Sequence, residues 1–357
     1  NFNFSETLQY FNLIPQNLAG WSILSPAADS RLIYVAASGN DGTAQNYTMA
    51  TIPNVGDWNN PGTVMAYQTI AAAKAQQRSG YSDWILFNRG DEFTLAANWQ
   101  PPAGRSLTER TVITAYGVGA RPHINPTSDV QIRLWGGAGL YQALLCLKVL
   151  PTYRDPAHAD FAGWGNVNGA PCIDMFDNIL GTRSVLVEDC WLEFGEYGID
   201  SNKCSDLIIR RNIVAHAYNE SGHAQGTYIQ GGSFILEENC YYHNGWLKQS
   251  VLGDNNKAEG QATIFNHNWY LQKPKKAIVR NNISIDPSSI HVKTTASSDG
   301  EALPHINAEN DIFSNNLFIY GEVTISAGGN NDDDTGARYE NIRQGWNVST
   351  KIGDTRP

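Results

Sequence analysis

The chain has 357 residues, 41% of them hydrophobic and only 17% charged, with a formal net charge of −10. That acidity argues against general affinity for nucleic acid or an anionic membrane surface. No apolar run approaches the ~20 residues of a membrane span; the best, 140–150, is interrupted by Lys148.

Residues 1–30 are polar and aromatic without periodicity and read as a leader lying along the body. No signal peptide is visible, and an abrupt start at Asn1 fits one already removed, in keeping with a secreted, extracellular protein. RLIYVAASGNDGTAQN (31–46) reads as a strand ending in a Gly/Asn/Asp turn. VMAYQTIAAAKAQQR (64–78) predicts a helix stopped by Gly80. WILFNRGDEF (84–93) and TVITAYGVGARPHI (111–124) each predict a strand, a turn and a second strand. Residues 125–184 suggest irregular coils with a long loop, and 321–357 a last partial coil and a trailing segment.

From 185 to 320 the chain repeats. VLVEDCWLE, IIRRNIVAH, ILEENCYYH, IVRNNISID and IFSNNLFIY align on a corner column of Asp189, Asn212, Asn239, Asn282 and Asn316, at uneven spacing. A fixed unit with elastic spacing indicates a solenoid whose coils carry insertions at one corner. Alternation predicts Cys190, Ile213, Cys240, Ile283 and Leu317 facing inward, then Leu192, Ala215, Tyr242, Ile285 and Ile319. Glu193, His216, His243, Asp286 and Tyr320 should face out. A further strand per coil, YGID (197–200), TYIQ (227–230) and WYLQ (269–272), would turn Ile199, Ile229 and Leu271 inward. Tyr228 and Tyr270 would then stack outside beside Gly198, and Gln230 and Gln272 beside Asp200. Of five cysteines, Cys190 and Cys240 read as buried packing thiols, and a Cys172–Cys204 bridge is conceivable. Five N-x-S/T sequons (Asn3, Asn46, Asn219, Asn282, Asn347) read as by-products of an Asn-rich chain.

The Y-V-x-x-S-G-N-D-G-T-like opening, the helix, I-L-F-x-R-G-D and I-T-A-Y-G-x-G-A-R-P resemble the amino-terminal part of secreted right-handed parallel β-helix proteins of the pectate-lyase-like superfamily. The resemblance covers about 31–124 and, through the Asn column, 185–320. It implies an all-β solenoid with a short N-terminal capping helix: a leader (1–30), then one β-helix domain (31–357) with cap 31–124, coils 125–320 and C-terminal segment 321–357. Its members include polysaccharide lyases, glycoside hydrolases, alginate epimerases and tailspikes, so the reaction must be argued from residues.

Two insertions, 217–226 and 244–266, fall between the outward histidine column and the outward tyrosine column. Four of the eight histidines (His216, His223, His243 and His267) converge there. Residues 245–293 carry seven Lys/Arg against three acids, a basic patch on an acidic protein that suits a polyanion. An anionic polysaccharide points to β-elimination, which needs a neutralised uronate carboxylate, a base at C5 and an acid for the leaving oxygen. The candidate assignment is His223 or His267 as base, Tyr228 or Tyr270 as acid, and Lys248 or Lys257 as carboxylate clamp. His216, His243, Trp246, Lys273, Gln230, Gln272 and Asp200 would complete the binding surface. The resemblance brings in Ca²⁺, with Lys273 as base in that version. The sequence gathers no compact carboxylate cluster to hold the ion, and NNDDDTG (330–336) reads as a solvated turn. A glycoside hydrolase is the alternative, with Asp200, Glu220, Asp254 and Glu259 at the same corner. YGID is similar to the Y-G-F-D of alginate epimerases, but Ser201, Asn202 and Lys203 replace the family's Pro-His-Glu. A non-catalytic glycan-binding or structural β-helix is the third reading.

Overall fold

The computed structural model describes residues 8–9, 11–135, 140–163, 169–176, 183–219, 223–246, 265–296, 308–309, 311–328 and 339–353. Three parallel sheets run the length of the molecule. The first has ten strands, from Leu32–Val35 to Arg343–Gly345; the second has nine, from Glu92–Leu95 to Val348–Thr350; the third has seven, from Ile132–Arg133 to Val323–Gly328. The chain visits them in rotation: Ile173–Phe176 (third), Arg183–Glu188 (first), Trp191–Glu193 (second), then Tyr197–Asn202 (third again). This is a parallel β-helix, as the repeat implied.

Continuous apolar runs such as LIYV and WILF arise because the first sheet is covered on both faces. Inward, Ile33, Ile85, Ile113, Leu144, Val187 and Ile209 stand in one register line within the core. Outward, Leu186, Ile208, Ile235 and Ile278 pack in a second cluster with Phe11 and Ile14 of the leader. Asn12 ties the leader down, its amide and side chain both donating to the Asp206 carboxylate (2.8 and 2.7 Å).

Between the first and second sheets the later coils turn through one left-handed residue and then an asparagine. Arg211, Glu238, Asn281 and Asn315 have φ of 57, 59, 57 and 54°. Asn212, Asn239, Asn282 and Asn316 follow, each about 1% exposed, and Asn347 extends the line. From Asn239 on, each amide oxygen accepts from the backbone N–H and the side-chain N–H of the preceding rung, as Asn239 does from Asn212 at 3.0 Å each. Each amide nitrogen also donates to a carbonyl, as Asn239 does to Ile209 (2.9 Å). A sequon at Asn282 is therefore buried inside the turn.

This turn corrects two expectations. Because the asparagine points in, the next residue points out: Cys240 and Leu317 are half-buried and Ile283 is exposed. The residues facing in on the second sheet are Leu192, Val214, Tyr241, Ser284 and Phe318, all fully buried. In the first coil the rung is also one position later. The Cys190 N–H donates to Asn212 Oδ1 (2.9 Å), so Cys190, not Asp189, occupies the column, and Phe194 stands where Glu193 was placed.

The third sheet corrects a register. Asp200 pairs with Tyr228, and Asn202 with Gln230, a slip of two from the expected pairing that keeps the same face outward. Ile199 consequently aligns with Thr227 and Trp269 on the inside.

The helix expected over 64–78 contracts to Ile70–Lys74. Tyr67 is drawn alongside Val35 instead, its N–H bonded to the Tyr34 carbonyl (2.8 Å), and Thr69 caps the short helix by accepting from Ala72 N–H. Ile70 and Ala73 reach the core. All five cysteines are free thiols, so the Cys172–Cys204 bridge does not form; Cys172 Sγ approaches the Val149 carbonyl, and Cys204 Sγ that of Met175. Regular strands also extend into both flanks, Gln142–Leu145 before the repeat and Arg343–Gly345 after it. No helix among the described residues is long and apolar enough to cross a membrane.

Candidate functional site

The outer face of the third sheet carries a line of polar side chains, one per coil. In register these are Arg133, Asp174, Asp200, Tyr228, Tyr270, Lys293 and Ser326. Parallel strands lie ~4.8 Å apart, so neighbours in this line can act on one molecule.

Its acidic half was not anticipated as a unit. Asp174 Oδ2 accepts from Gln131 Nε2 and Trp135 Nε1, both at 2.8 Å. Asp200 has weaker support, and burial pushes its carboxyl up to about 7, with the charges of Asp174 and Glu196 adding to the rise. Burial also raises Asp174 and Glu196 above the ordinary carboxylate range. The two carboxyls share a half-buried face but differ in hydrogen bonding: the Trp135 donor offsets part of the rise at Asp174, while burial and two carboxyl neighbours carry Asp200 up to about 7. Tyr197, its hydroxyl strongly raised by burial, stands 5.9 Å from Tyr228 between ring centres. Trp135 and Phe176 (5.7 Å) close the far end, with the Arg133 guanidinium 4.3 Å over the Trp135 ring.

The other half contains the residues singled out from sequence. Tyr228 and Tyr270 are neighbours, their ring centres 5.5 Å apart and their planes tilted at 53° rather than stacked as expected. The Tyr228 hydroxyl donates to Gln272 Oε1 (2.6 Å), and Gln272 Nε2 donates to the Tyr270 hydroxyl (2.8 Å). Gln230 is in register with Gln272. His267 packs edge-on against Tyr270 (5.5 Å) but is only 2% exposed. Burial, with Lys293 and His223 nearby, depresses its imidazole to about 3, so it is neutral and shielded rather than open to a substrate. His223 is exposed, its ring Nδ1 3.2 Å from the Phe265 carbonyl oxygen. Lys273 is 7% exposed, its backbone N–H donating to the Thr295 carbonyl. Lys248, Lys257, Glu220, Asp254 and Glu259 lie outside the described residues.

His216, His243 and Trp246 form a second group, at the corner where the second sheet ends. His216, His243 and Asp286 take left-handed backbone there (φ 55, 53 and 47°). Phe194 stacks on His216 (5.1 Å, 15°), His216 meets His243 (5.5 Å), and His243 stacks on Trp246 (5.2 Å, 4°). His243 Nδ1 lies 2.8 Å from Asp286 Oδ2, while Trp246 Nε1 donates to the Asp286 carbonyl (3.0 Å). One face of Trp246 is thus occupied by His243. Burial and the neighbouring His243 lower His216 to about 4. Tyr242, exposed on the second sheet, packs edge-on to His216 (5.2 Å). This corner therefore opens toward the second sheet, whereas the Asp–Tyr line belongs to the third.

The signal that could have found Asp174 is short: I-D occurs at 173–174 and again at 199–200, followed by T-Y at 227–228 and W-Y at 269–270. Among the described residues no three His, Cys, Asp or Glu side chains gather in a metal-binding group.

No family model matches the chain, and no curated protein matches it. Among solved structures it is similar to a GH136 lacto-N-biosidase from Eubacterium ramulus, with 10% identity and a TM-score of 0.47 over 90% of this chain and 67% of that one. It is also similar to an alginate lyase from Paenibacillus sp. (14%, 0.40, 77% and 95%) and to a pectate lyase (10%, 0.38, 92% and 79%). Likeness at this level carries no argument about the reaction.

Proposed function

We propose that this protein is an extracellular glycan-degrading enzyme that hydrolyses glycosidic bonds on the outer face of the third sheet. The observation that carries the reading is the in-register pair Asp174–Asp200, in which Asp200 retains its proton to about pH 7 beside a better hydrogen-bonded carboxyl. Glycoside hydrolysis asks for that division of labour. Asp200 donates its proton to the leaving glycosidic oxygen, and Asp174 attacks the anomeric carbon as that bond breaks. Water then cleaves the glycosyl ester, losing its proton to Asp200. Adjacent strands ~4.8 Å apart suit the ~5–5.5 Å carboxyl separation of the retaining mechanism better than the wider inverting one. Tyr197, Tyr228 and Trp135 supply flat faces for sugar rings.

A second reading, β-elimination on an anionic glycan, draws on the other half of the line. There a tyrosine hydroxyl of the Tyr228–Tyr270 pair, oriented by Gln272, would give its proton to the leaving oxygen, and Lys293 would neutralise a uronate carboxylate. One experiment separates the readings: digest neutral and uronate polysaccharides, then follow reducing ends, unsaturated-product absorbance and anomeric configuration together. Hydrolysis gives reducing ends without ultraviolet absorbance and with retained configuration. Absorbance that grows with the reducing ends would replace hydrolysis by elimination, and turnover of no glycan that the protein binds would leave a binding protein.

A further inference from the structure

A solvent-open pocket lies at the amino-terminal end of the solenoid, on the corner that follows the first sheet. The strands Leu32–Val35, Trp84–Asn88 and Thr111–Tyr116 end there in register, and Ala36, Asn88 and Tyr116 line one side of it. Segments 38–43 and 62–66 form the rest of a space of about 430 Å³, within the ~300–1,000 Å³ of small-molecule sites. The two segments are tied to each other before any ligand arrives. Ala36 N–H donates to the Tyr67 carbonyl (2.9 Å) and Asn40 N–H to that of Ala66 (3.0 Å). Gly39 permits this approach, since a Cβ there would lie 2.4 Å from the Tyr67 carbonyl oxygen.

Among the described residues no charged side chain lines the pocket. Its polar groups are the hydroxyls of Ser38, Thr43, Thr63 and Tyr116 and the amides of Asn40 and Asn88, with Val64 and Met65 supplying hydrocarbon. Each amide has one end committed. Asn88 Nδ2 donates to Asp91 Oδ2 (3.0 Å), which leaves its carbonyl oxygen as an acceptor; Asn40 Oδ1 accepts from Gly42 N–H (2.9 Å), which leaves its nitrogen as a donor. Tyr116 is the sharper observation. It is only 8% exposed, its ring edge-on to Tyr34 at 4.9 Å. The Tyr34 hydroxyl donates to the Trp58 carbonyl (2.9 Å), whereas the Tyr116 hydroxyl has no hydrogen-bond partner among the described residues. It is not sealed from solvent either, so it opens into the pocket that Tyr116 lines. Burial pushes this phenol up to about 12, which keeps it neutral and able both to donate and to accept. An anion or a cation would find no opposite charge in this wall, and a hydrocarbon would leave its hydroxyls and amides without partners. A neutral sugar, with a hydroxyl on nearly every carbon, meets both demands.

We propose that this pocket binds a neutral mono- or disaccharide unit, on a different wall of the β-helix from the Asp174–Asp200 face. The test uses the full chain carrying Asp200→Asn, so that no probe is consumed. Cellotriose, maltotriose and N,N′-diacetylchitobiose are titrated by calorimetry as neutral probes, with trigalacturonate as the anionic comparison. Saturable binding of at least one neutral probe is the expected result. Thr63→Trp, at an exposed position whose enlarged side chain fills the pocket, should abolish that binding while the protein stays folded by circular dichroism. Ser38→Trp, also exposed, takes its place if Thr63→Trp does not fold. Tyr116→Phe keeps the ring packing and should weaken the binding about two- to tenfold, the loss of one hydrogen bond. Binding is read without turnover, so it fails separately from the hydrolysis proposed for the third sheet. The proposal is overturned if no neutral probe binds saturably, if the folded filling variant binds as well as its parent, or if trigalacturonate binds more tightly than every neutral probe and is displaced by the filling substitution.

Discussion

Asp200 keeps its proton because the half-buried outer face offers it few hydrogen bonds and two carboxyl neighbours, Asp174 and Glu196. Asp200→Asn removes a transferable proton while retaining shape, so kcat should drop about 10²- to 10⁴-fold. Asp174→Asn should bring a comparable loss by removing the attacking group. In the parent, kcat should decline as pH rises through about 7, where Asp200 ionises, and Asp200→Asn should lose that alkaline limb. Steady-state rates across pH on a hydrolysed glycan check both statements; an alkaline limb surviving in the Asn variant would assign the ionisation to another group. At this scale the sequence was half legible. Tyr228, Tyr270 and Asp200 were visible as outward residues of short strands, and the two tyrosines do stand in register on neighbouring coils, although their rings are tilted at 53° rather than stacked. Asp174 was missed because its strand, Ile173–Phe176, precedes the recognisable repeat. The partnership of the two carboxyls appears only once the third sheet is paired with the correct register.

Each asparagine rung joins two coils through bonds that water cannot replace in so buried a turn. Asn239 accepts from Asn212, donates to Ile209, and receives its neighbour's amide oxygen on its own backbone and side-chain N–H (2.9 and 3.0 Å). Asn239→Ala strands several of these groups, and at about 1–3 kcal/mol for each buried partner left unmet the loss should be several kcal/mol. Asn347→Ala, at the half-buried last rung, should cost less because water reaches the vacated sites. Urea unfolding of the two variants checks the order; equal losses would mean that the rungs do not owe their strength to burial. The Asn column was legible because asparagine recurs where the strand pattern breaks. The facing of the next strand was not: the left-handed residue before each rung reverses the alternation that a plain strand would keep. Ile283 and Cys240, apolar yet outward, gave no warning of this.

Across the whole molecule, buried titratable groups pull stability in opposite directions. Asp200 has its carboxyl raised from 3.8 to about 7, so between those values the folded state binds a proton that the unfolded chain has lost, and stability falls as pH rises through that window. His267, lowered from 6.5 to about 3, does the reverse: between those values the unfolded chain is protonated and the folded state is not, so stability rises with pH. His291 and His216, both lowered to about 4 chiefly by burial, add to the histidine side; the raised Glu193, Glu196 and Asp174 add to the carboxyl side. Since the two sets overlap between about pH 4 and 6.5, their slopes offset each other and the parent should show a broad stability plateau. Removing one member should tilt it. Asp200→Asn should make stability climb with pH across this range, and His267→Gln should make it decline, each relative to the parent. Denaturant unfolding at intervals from about pH 4 to 7.5 reads the tilt directly. Tilts of the same sign in both variants would contradict the burial of one group or the other, and with it the register that sets His267 behind Tyr270 and Asp200 beside Asp174.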